Sequence, residues 1–402
     1  MSESVFNLSN SIVRSPADDD FYKNTMQQAI LHQYSSVDTE FSFINRSSED
    51  LRPYIPEIRN EIEKLQDLQS SPDMIRHLRN IRFMKPDYCD YLEDFRLKPR
   101  FVKVSEVDGK LSIRARGPWV GVSPFEIKIL AIVSEIRNRH VYPELTLEQV
   151  RESLYRKFEW LQKNATVEEL ADFKVAEFGT RRRISFGAQE EVVRTMMREF
   201  PGQFVGTSNL HIARELNIKA IGTQAHEWFM GHQQTGPRLI DSQKVALDAW
   251  IKEYKGDSGV VLTDCIGQES FLRDFDPFYS KLFDGCRHDS GNPLTWGDRM
   301  IEHYKSMGID PMSKSLIFSD GLNLGDRSLA ILRHFRGRIN VSFGIGTDLT
   351  NGVEGVKPLN IVMKMVQCQG HPVAKISDEP AKALCEDPEY LSYLKSVFGI
   401  KA

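Results

Sequence analysis

No stretch of this 402-residue chain approaches the ~20 consecutive apolar residues that a membrane-spanning helix needs. No membrane role is expected. The opening, MSESVFNLSNSIVRSPADDD, lacks a basic segment followed by an apolar one, so no secretory leader is expected and a cytoplasmic location is. Cysteine is scarce: Cys89, Cys265, Cys286, Cys368 and Cys385 form no CxxC pair, which offers no zinc pattern and suits a reducing compartment. Neither charge sign dominates; a net charge of −4 argues against a general nucleic-acid binder. No GxGxxG follows a strand-like run, which disfavours a Rossmann fold. What is present is a composition of 41% hydrophobic and 27% charged residues, enough for a large core and unlike a disordered chain.

The first third reads as α+β without repeats. Asp18, Asp19 and Asp20 are expected to cap a helix from Phe21 to about Tyr34. Thr39–Asn45 alternates like a strand, and 48–66 is largely helical with Pro53 and Pro56 in its opening turns. Asp73–Phe83 is read as another helix. Asp108-Gly109 between two alternating runs predicts a hairpin over 101–116. Gly117-Pro118-Trp119 breaks it, and a long helix covers 126–138.

After a helical stretch over 147–170 the pattern changes. Short apolar runs at 175–178, 204–205, 219–221, 260–263, 281–284, 315–318 and 341–343 alternate with helical segments. Each run ends in glycine or polar residues. This spacing means βα units and a parallel sheet, and about seven of them favour a closed α/β barrel over an open sheet. The tail, with strands near 359–367 and 372–376 and a helix over 389–398, is expected to rejoin the first part. The division expected is an N-terminal α+β domain over 1–140, a barrel over 141–355 and a tail over 356–402.

In such a barrel the strand ends gather on one face, which holds the chemistry. The exits are therefore read together. Phe178-Gly179-Thr180-Arg181-Arg182-Arg183 offers anion recognition; at most one or two of the arginines can face a site, and Arg181 is favoured. Thr207, Ser208 and Asn209 can hold an anion or simply cap a helix. His226, in Gly222-Thr223-Gln224-Ala225-His226-Glu227, reads as a base, a nucleophile or a structural histidine, and nearby His232 lacks the partners of a metal pair. Thr263-Asp264 forms the fourth exit. The fifth, Arg287-His288-Asp289-Ser290-Gly291, combines a cation for phosphate with a carboxylate for sugar hydroxyls or Mg²⁺. Asp320-Gly321 repeats the acid–glycine pair. Gly344-Ile345-Gly346-Thr347 can offer backbone N–H groups to a phosphate. Together the exits suit a phosphorylated sugar, for glycosyl or phosphoryl transfer.

In their order and spacing these strings, with Asp20-Phe21-Tyr22-Lys23 and Gly117-Pro118-Trp119, resemble the bacterial nicotinate phosphoribosyltransferase family over nearly the whole chain. The resemblance implies a type II phosphoribosyltransferase fold, an irregular α/β barrel joined to a domain built from both termini. It implies transfer of ribose 5-phosphate from phosphoribosyl pyrophosphate to nicotinate in NAD salvage. It also implies ATP as co-substrate, Mg²⁺ on the pyrophosphate held largely by substrate oxygens and water, and a phosphohistidine at His226. Tyr22 and Phe178 would sandwich the pyridine ring, and a Tyr22 lent by a neighbouring subunit is compatible with a homodimer. Arg181 would meet nicotinate or phosphate, Asp289 the ribose hydroxyls and Arg287 a phosphate. Asp320, Gly321, Gly344, Gly346 and Thr347 would cradle the 5-phosphate. The chain has no Walker A string, so ATP is expected in the pocket of the sugar pyrophosphate.

Two other readings fit the same residues. A nicotinamide or quinolinate phosphoribosyltransferase would share fold and donor. A non-catalytic metabolite-binding barrel would share the fold but need not keep His226, Arg287 and Asp289 together.

Overall fold

The structure is a computed structural model that describes residues 3–400. Its strands fall into two sheets. The first is antiparallel, built on β1 (Asp38–Asn45), the hairpin β2 (Val102–Val107) and β3 (Lys110–Pro118), and two tail strands, β10 (Ile361–Cys368) and β11 (His371–Pro372). Its order is β11-β10-β1-β3-β2. Both ends of the chain therefore share it, with β1 between β10 (Thr39 opposite Cys368, Asn45 opposite Ile361) and β3. The hairpin turns at Asp108 and Gly109, whose φ values of 50° and 69° match the two left-handed residues of a type I′ turn.

The second sheet is parallel. It contains β4 (Val175–Glu177), β5 (Phe204–Thr207), β6 (Val260–Leu262), β7 (Gly285–His288), β8 (Ser315–Phe318) and β9 (Asn340–Ile345), in the order β5-β4-β9-β8-β7-β6. β5 and β6 are its two edges, so the regular sheet is not a closed barrel. The expected strand over 219–221 lies between those edges and is reduced to one bridge, Ala220 to Thr207. Across the gap the Thr223 hydroxyl donates to Val260 O at 2.6 Å. The physical reason is helix α1 (Phe21–Gln33), which draws the segment out of the sheet. Thr25 Oγ1 donates to Thr223 O at 2.6 Å. A Cβ on Gly222 would stand 2.7 Å from Tyr22 N, so only glycine permits that approach.

Three further expectations are corrected. Residues 277–282 are a helix, because Asp276 caps it by accepting from Phe278 N at 2.9 Å and Pro277 suits its first turn. The strand follows it, and Gly285 opens β7 because a Cβ there would lie 2.1 Å from Ser315 O. The second correction is at the aspartates, none of which makes a capping hydrogen bond to α1. Asp19 pairs with Lys128, Asp20 accepts from Ser208 Oγ at 2.7 Å, and Asp18 binds Arg183. The helix expected over 73–83 ends at Arg79, and Pro86–Asp94 forms a separate one.

Helix α2 (Phe125–Val141) runs through the interior, buried on every side from Phe125 to Asn138. Its charged residues are paired: Glu126 with Lys23 and Lys364, Lys128 with Asp19, Glu135 with Arg139. A buried charge without a partner costs several kcal/mol, so these pairs set the register between α1, α2 and the sheets. The Asp18–Arg183 pair is the most enclosed. Both side chains are fully buried, the guanidinium reaches both carboxylate oxygens at 2.6 and 2.9 Å, and it also donates to Ile12 O. Burial alone would raise the Asp18 pKa, but Arg183 overcomes it and holds the carboxyl below its ordinary value. This stabilisation is present above an ordinary carboxyl pKa and is lost only in strong acid. Asp18→Asn leaves Arg183 buried with its charge unmatched and is expected to cost about 3 kcal/mol, read as a lower urea midpoint. A midpoint equal to that of the unmodified chain would refute this role for the pair.

Candidate active site

The C-terminal ends of the parallel strands open into a cavity of about 410 Å³. Phe178 and Arg181 reach it from the exit of β4, Arg287 and Asp289 from β7, Ser319, Asp320 and Gly321 from β8, and Gly344, Gly346 and Thr347 from β9. His226 enters as the first residue of helix α3 (His226–Thr235). The antiparallel sheet and the tail close the other side with Arg46, Asn360, Lys364, Lys375 and Lys382. Seven Arg and Lys side chains line the cavity against the three carboxylates of Asp289, Asp320 and Asp348. Such an excess of cations in one hollow favours a polyanionic ligand.

His226 is 3% exposed, and its Nε2 lies 2.9 Å from Asp264 Oδ1. The other carboxylate oxygen accepts from Ser290 Oγ at 2.6 Å and faces Lys375 Nζ at 3.2 Å. Burial would raise the Asp264 pKa, but His226 and Lys375 hold it well below the ordinary range. Burial lowers the imidazole to about 4, and Lys375 adds to that against the opposing pull of Asp264. The state at neutral pH is thus an ionised Asp264, with Lys375 as its countercharge and a neutral His226 donating from Nε2. Nδ1 keeps its lone pair, 3.8 Å from Asp289 Oδ2.

Alternation along β7 sorts the fifth exit. Arg287 and Asp289 point to the cavity, while His288 is buried against Trp296 and Phe318 with neither ring nitrogen hydrogen-bonded. Arg287 donates to Asp289 Oδ1 at 3.2 Å and to Gln224 O at 3.2 Å, tying β7 to the turn before α3. Burial would raise the Asp289 carboxyl, but Arg287 brings it to about 2. Asp320 is held by Lys382 at 2.6 Å. The glycines after β9 make room for Phe178: a Cβ at Gly344 would lie 2.3 Å from its ring, and one at Gly346 would lie 2.8 Å from its carbonyl oxygen.

The three arginines separate as the chain turns. Arg181 and Arg182 line the cavity, with Arg182 Nε donating to Ile361 O at 3.2 Å, whereas Arg183 is the buried partner of Asp18. Several expected ligand residues lie elsewhere. Thr207 donates to Glu177, Ser208 to Asp20 and Asn209 to Asp18, so their side chains serve a buried network behind the cavity. Ser290 reaches Asp264 and does not line the cavity. Tyr22 does not line it either and is half-buried. Sequence reasoning missed Asp264 as the partner of His226, and it missed Arg46, Lys364, Lys375 and Lys382. The one available signal was a single charge in an apolar run, as at Lys364 in Ile361–Cys368.

A parallel α/β sheet with its strand ends around a cationic hollow of about 410 Å³ and a buried, neutral histidine suits an enzyme of phosphorylated sugars. The profile of the nicotinate phosphoribosyltransferase (NAPRTase) family matches residues 173–402, and that of its N-terminal domain matches 17–134. The chain is 55% identical over 402 residues to nicotinate phosphoribosyltransferase 1 of Pseudomonas aeruginosa, covering 100% of both chains. It is 56% identical over 400 residues to the nicotinate phosphoribosyltransferase of Pseudomonas savastanoi, covering 100% of this chain and 98% of that one. The crystal structure of nicotinate phosphoribosyltransferase from Vibrio cholerae superposes with a TM-score of 0.95 at 41% identity, over 98% of this chain and 95% of that one. That from Porphyromonas gingivalis gives 0.91 at 34% identity, over 97% and 100%. The chain belongs to the nicotinate phosphoribosyltransferase family. Among the described residues no helix is long and apolar enough to cross a membrane.

The imidazole environment has a measurable consequence. Between an ordinary histidine pKa of 6.5 and about 4, the unfolded chain takes up a proton that the folded His226 refuses. Stability from this group therefore falls as pH drops through that window. In a histidine NMR titration the His226 ring is expected to stay neutral through pH 6 and to take its proton at about 4. A midpoint at the ordinary value would contradict the charge arrangement described.

Proposed function

We propose that the chain transfers ribose 5-phosphate from phosphoribosyl pyrophosphate to the ring nitrogen of nicotinate, coupled to ATP through a phosphohistidine at His226. The products are nicotinate mononucleotide and pyrophosphate, with ADP and phosphate from ATP once water cleaves the phosphohistidine N–P bond and returns His226. The observation that carries the coupling is the neutral, buried His226, held at Nε2 by Asp264 with Nδ1 turned to a cation-lined cavity.

The chemistry follows from the charges. Cleavage of the C1–pyrophosphate bond leaves positive charge on the ribose and negative charge on the departing oxygens. Cations placed for the leaving group lower that barrier most. Arg46, Arg182, Lys364 and Lys382 suit the phosphates, with Arg287 beside Asp289. Asp289 suits the ribose hydroxyls, and the backbone N–H groups of Asp320 and Gly321 and of the Gly344–Thr347 turn suit the 5-phosphate. Nicotinate nitrogen already carries its lone pair, so no strong base is needed. The ring stacks on Phe178, and Arg181 meets the carboxylate, which nicotinamide lacks. Tyr22 is assigned to the same end of the site. Thr207, Ser208 and Asn209 support the strand exits from behind, and Ser290 orients Asp264.

In the coupling step the Nδ1 lone pair bonds the γ-phosphorus of ATP. The bond to the β,γ-bridging oxygen breaks and ADP leaves with that electron pair. The Nε2 proton stays in its hydrogen bond, and Asp264 balances the charge gained by the ring. His226, Asp264 and Asp289 each offer an atom within 4.8 Å of the others. Asp264 is already engaged by His226, Ser290 and Lys375, which leaves Asp289 as the carboxylate of this cluster that faces the cavity. That donor set fits Mg²⁺ bound mainly through substrate oxygens and water, where it would neutralise pyrophosphate charge.

Mononucleotide formation from nicotinate, nicotinamide and quinolinate with the same donor tests the substrate. Nicotinate is expected to be preferred, and a preference for nicotinamide would overturn the assignment. His226→Ala is expected to remove the ATP stimulation, making product formed with and without ATP equal. With γ-labelled ATP the unmodified chain should acquire acid-labile phosphate; full ATP coupling in the variant would overturn the phosphohistidine.

A further inference from the structure

The tail contributes more than a wall of the cavity. Lys375–Asp378 passes directly over Asp264. Ile376 N donates to Cys265 O at 2.8 Å, the Asp378 carboxylate accepts from Gln268 N at 2.7 Å, and Asp378 N donates to Ser290 Oγ at 3.2 Å. Lys375 and Leu384 exchange backbone hydrogen bonds at 2.9 and 2.8 Å, which closes the base of the loop between them. The docking depends on Gly291, whose φ is 81°, because a Cβ there would stand 3.1 Å from Asp378 Cβ. Lys375 is thus pinned on both sides, and its side chain is 8% exposed.

Its ammonium has an unusual station. Asp264 presents one oxygen to His226 and the other to Lys375, so a single carboxylate carries the histidine and a cation side by side at the cavity wall. The other two cavity lysines are held elsewhere, Lys364 by Glu126 at 3.2 Å and Lys382 by Asp320 at 2.6 Å. We propose that Lys375 is a catalytic residue whose ammonium, fixed next to His226 by Asp264, binds the phosphoryl oxygens as they move between ATP and His226 Nδ1. This rests on the phosphohistidine reading. Lys375 forms and breaks no covalent bond and keeps its proton. It donates N–H groups to the equatorial oxygens while the Nδ1–phosphorus bond forms and the bond to ADP breaks. Fixed donors aimed at charge that develops in the transition state are the arrangement that lowers such barriers.

A bland alternative is that Lys375 only offsets the Asp264 charge and keeps His226 neutral. The groups around the ring are Asp264, Asp289 and Lys375, and losing Lys375 would let His226 pair with Asp264 as an imidazolium. High pH would then restore a neutral nucleophile. The experiment measures the rate of phosphate incorporation from γ-labelled ATP into the full chain and its Lys375→Met and Lys375→Arg variants, at pH 7 and pH 8.5. Melting curves check that each variant folds. The expected result is a loss of about a hundredfold in Lys375→Met at both pH values, with partial recovery in Lys375→Arg. Incorporation at the unmodified rate in Lys375→Met at pH 8.5 would overturn the proposal. Should Lys375→Met fail to fold, a Lys375→Arg rate that falls as far as background would not support a cation role and would likewise overturn it. Absence of acid-labile phosphate in the unmodified chain would instead sink the phosphohistidine reading itself.

Discussion

A carboxylate removed from water must be met by donors and positive charge, and at Asp264 these come from three other parts of the chain. The start of α3 supplies His226, the exit of β7 supplies Ser290, and the tail supplies Lys375 and Ser377. Asp264 itself follows β6. One buried anion therefore binds two strand exits, a helix N-terminus and the C-terminal tail to one another. The same contacts set the chemistry. With Lys375 as countercharge, Asp264 can remain ionised without protonating the histidine, and the free ring nitrogen is turned toward the cavity. The fold around Asp264 and the neutral state of His226 thus rest on the same set of hydrogen bonds.

Around that point the cavity carries more positive than negative charge. Like charges brought together in a partly dry hollow destabilise the empty site, and a polyanionic ligand relieves the repulsion. Burial and the neighbouring Arg181 and Arg46 show the strain at Arg182, whose guanidinium is lowered to about 10. The buried pairs behind the cavity, Asp18 with Arg183 and Lys23 with Glu126 and Glu227, keep this cationic wall in place. Glu227 thus turns away from the neighbouring His226 and anchors α3 to α1. Adjacent residues at the start of a helix serve different sides of the protein.

Much of the architecture was legible from periodicity. The alternation of short apolar runs with helical segments identified the parallel sheet, and Asp108-Gly109 identified the hairpin. The failures have definite causes. Glycine was read as the end of a strand, yet Gly285 begins β7 because its neighbour leaves no space for a side chain. Residues 219–221 look like a strand, but contacts with α1 claim them, and no local pattern reports that. Asp18, Asp19 and Asp20 look like caps because a helix follows; their partners, Arg183, Lys128 and Ser208, lie 109 to 188 residues away.

By itself the sequence determined the order of elements, the face on which strand ends gather, and the residues that come to that face from β4, β7, β8 and β9. These follow from periods of two and 3.6 and from which residue types end a strand, all of them local properties. It also carried the family, through the order of its strand-exit strings. Only the tertiary structure decided which of three consecutive arginines is buried, that Thr207, Ser208 and Asn209 face inward, and that Asp264 and Lys375 share the histidine. Those outcomes depend on where a charge separated by tens or hundreds of residues finds its counterion, and the cost of burying it unpaired is settled by packing rather than by sequence neighbours.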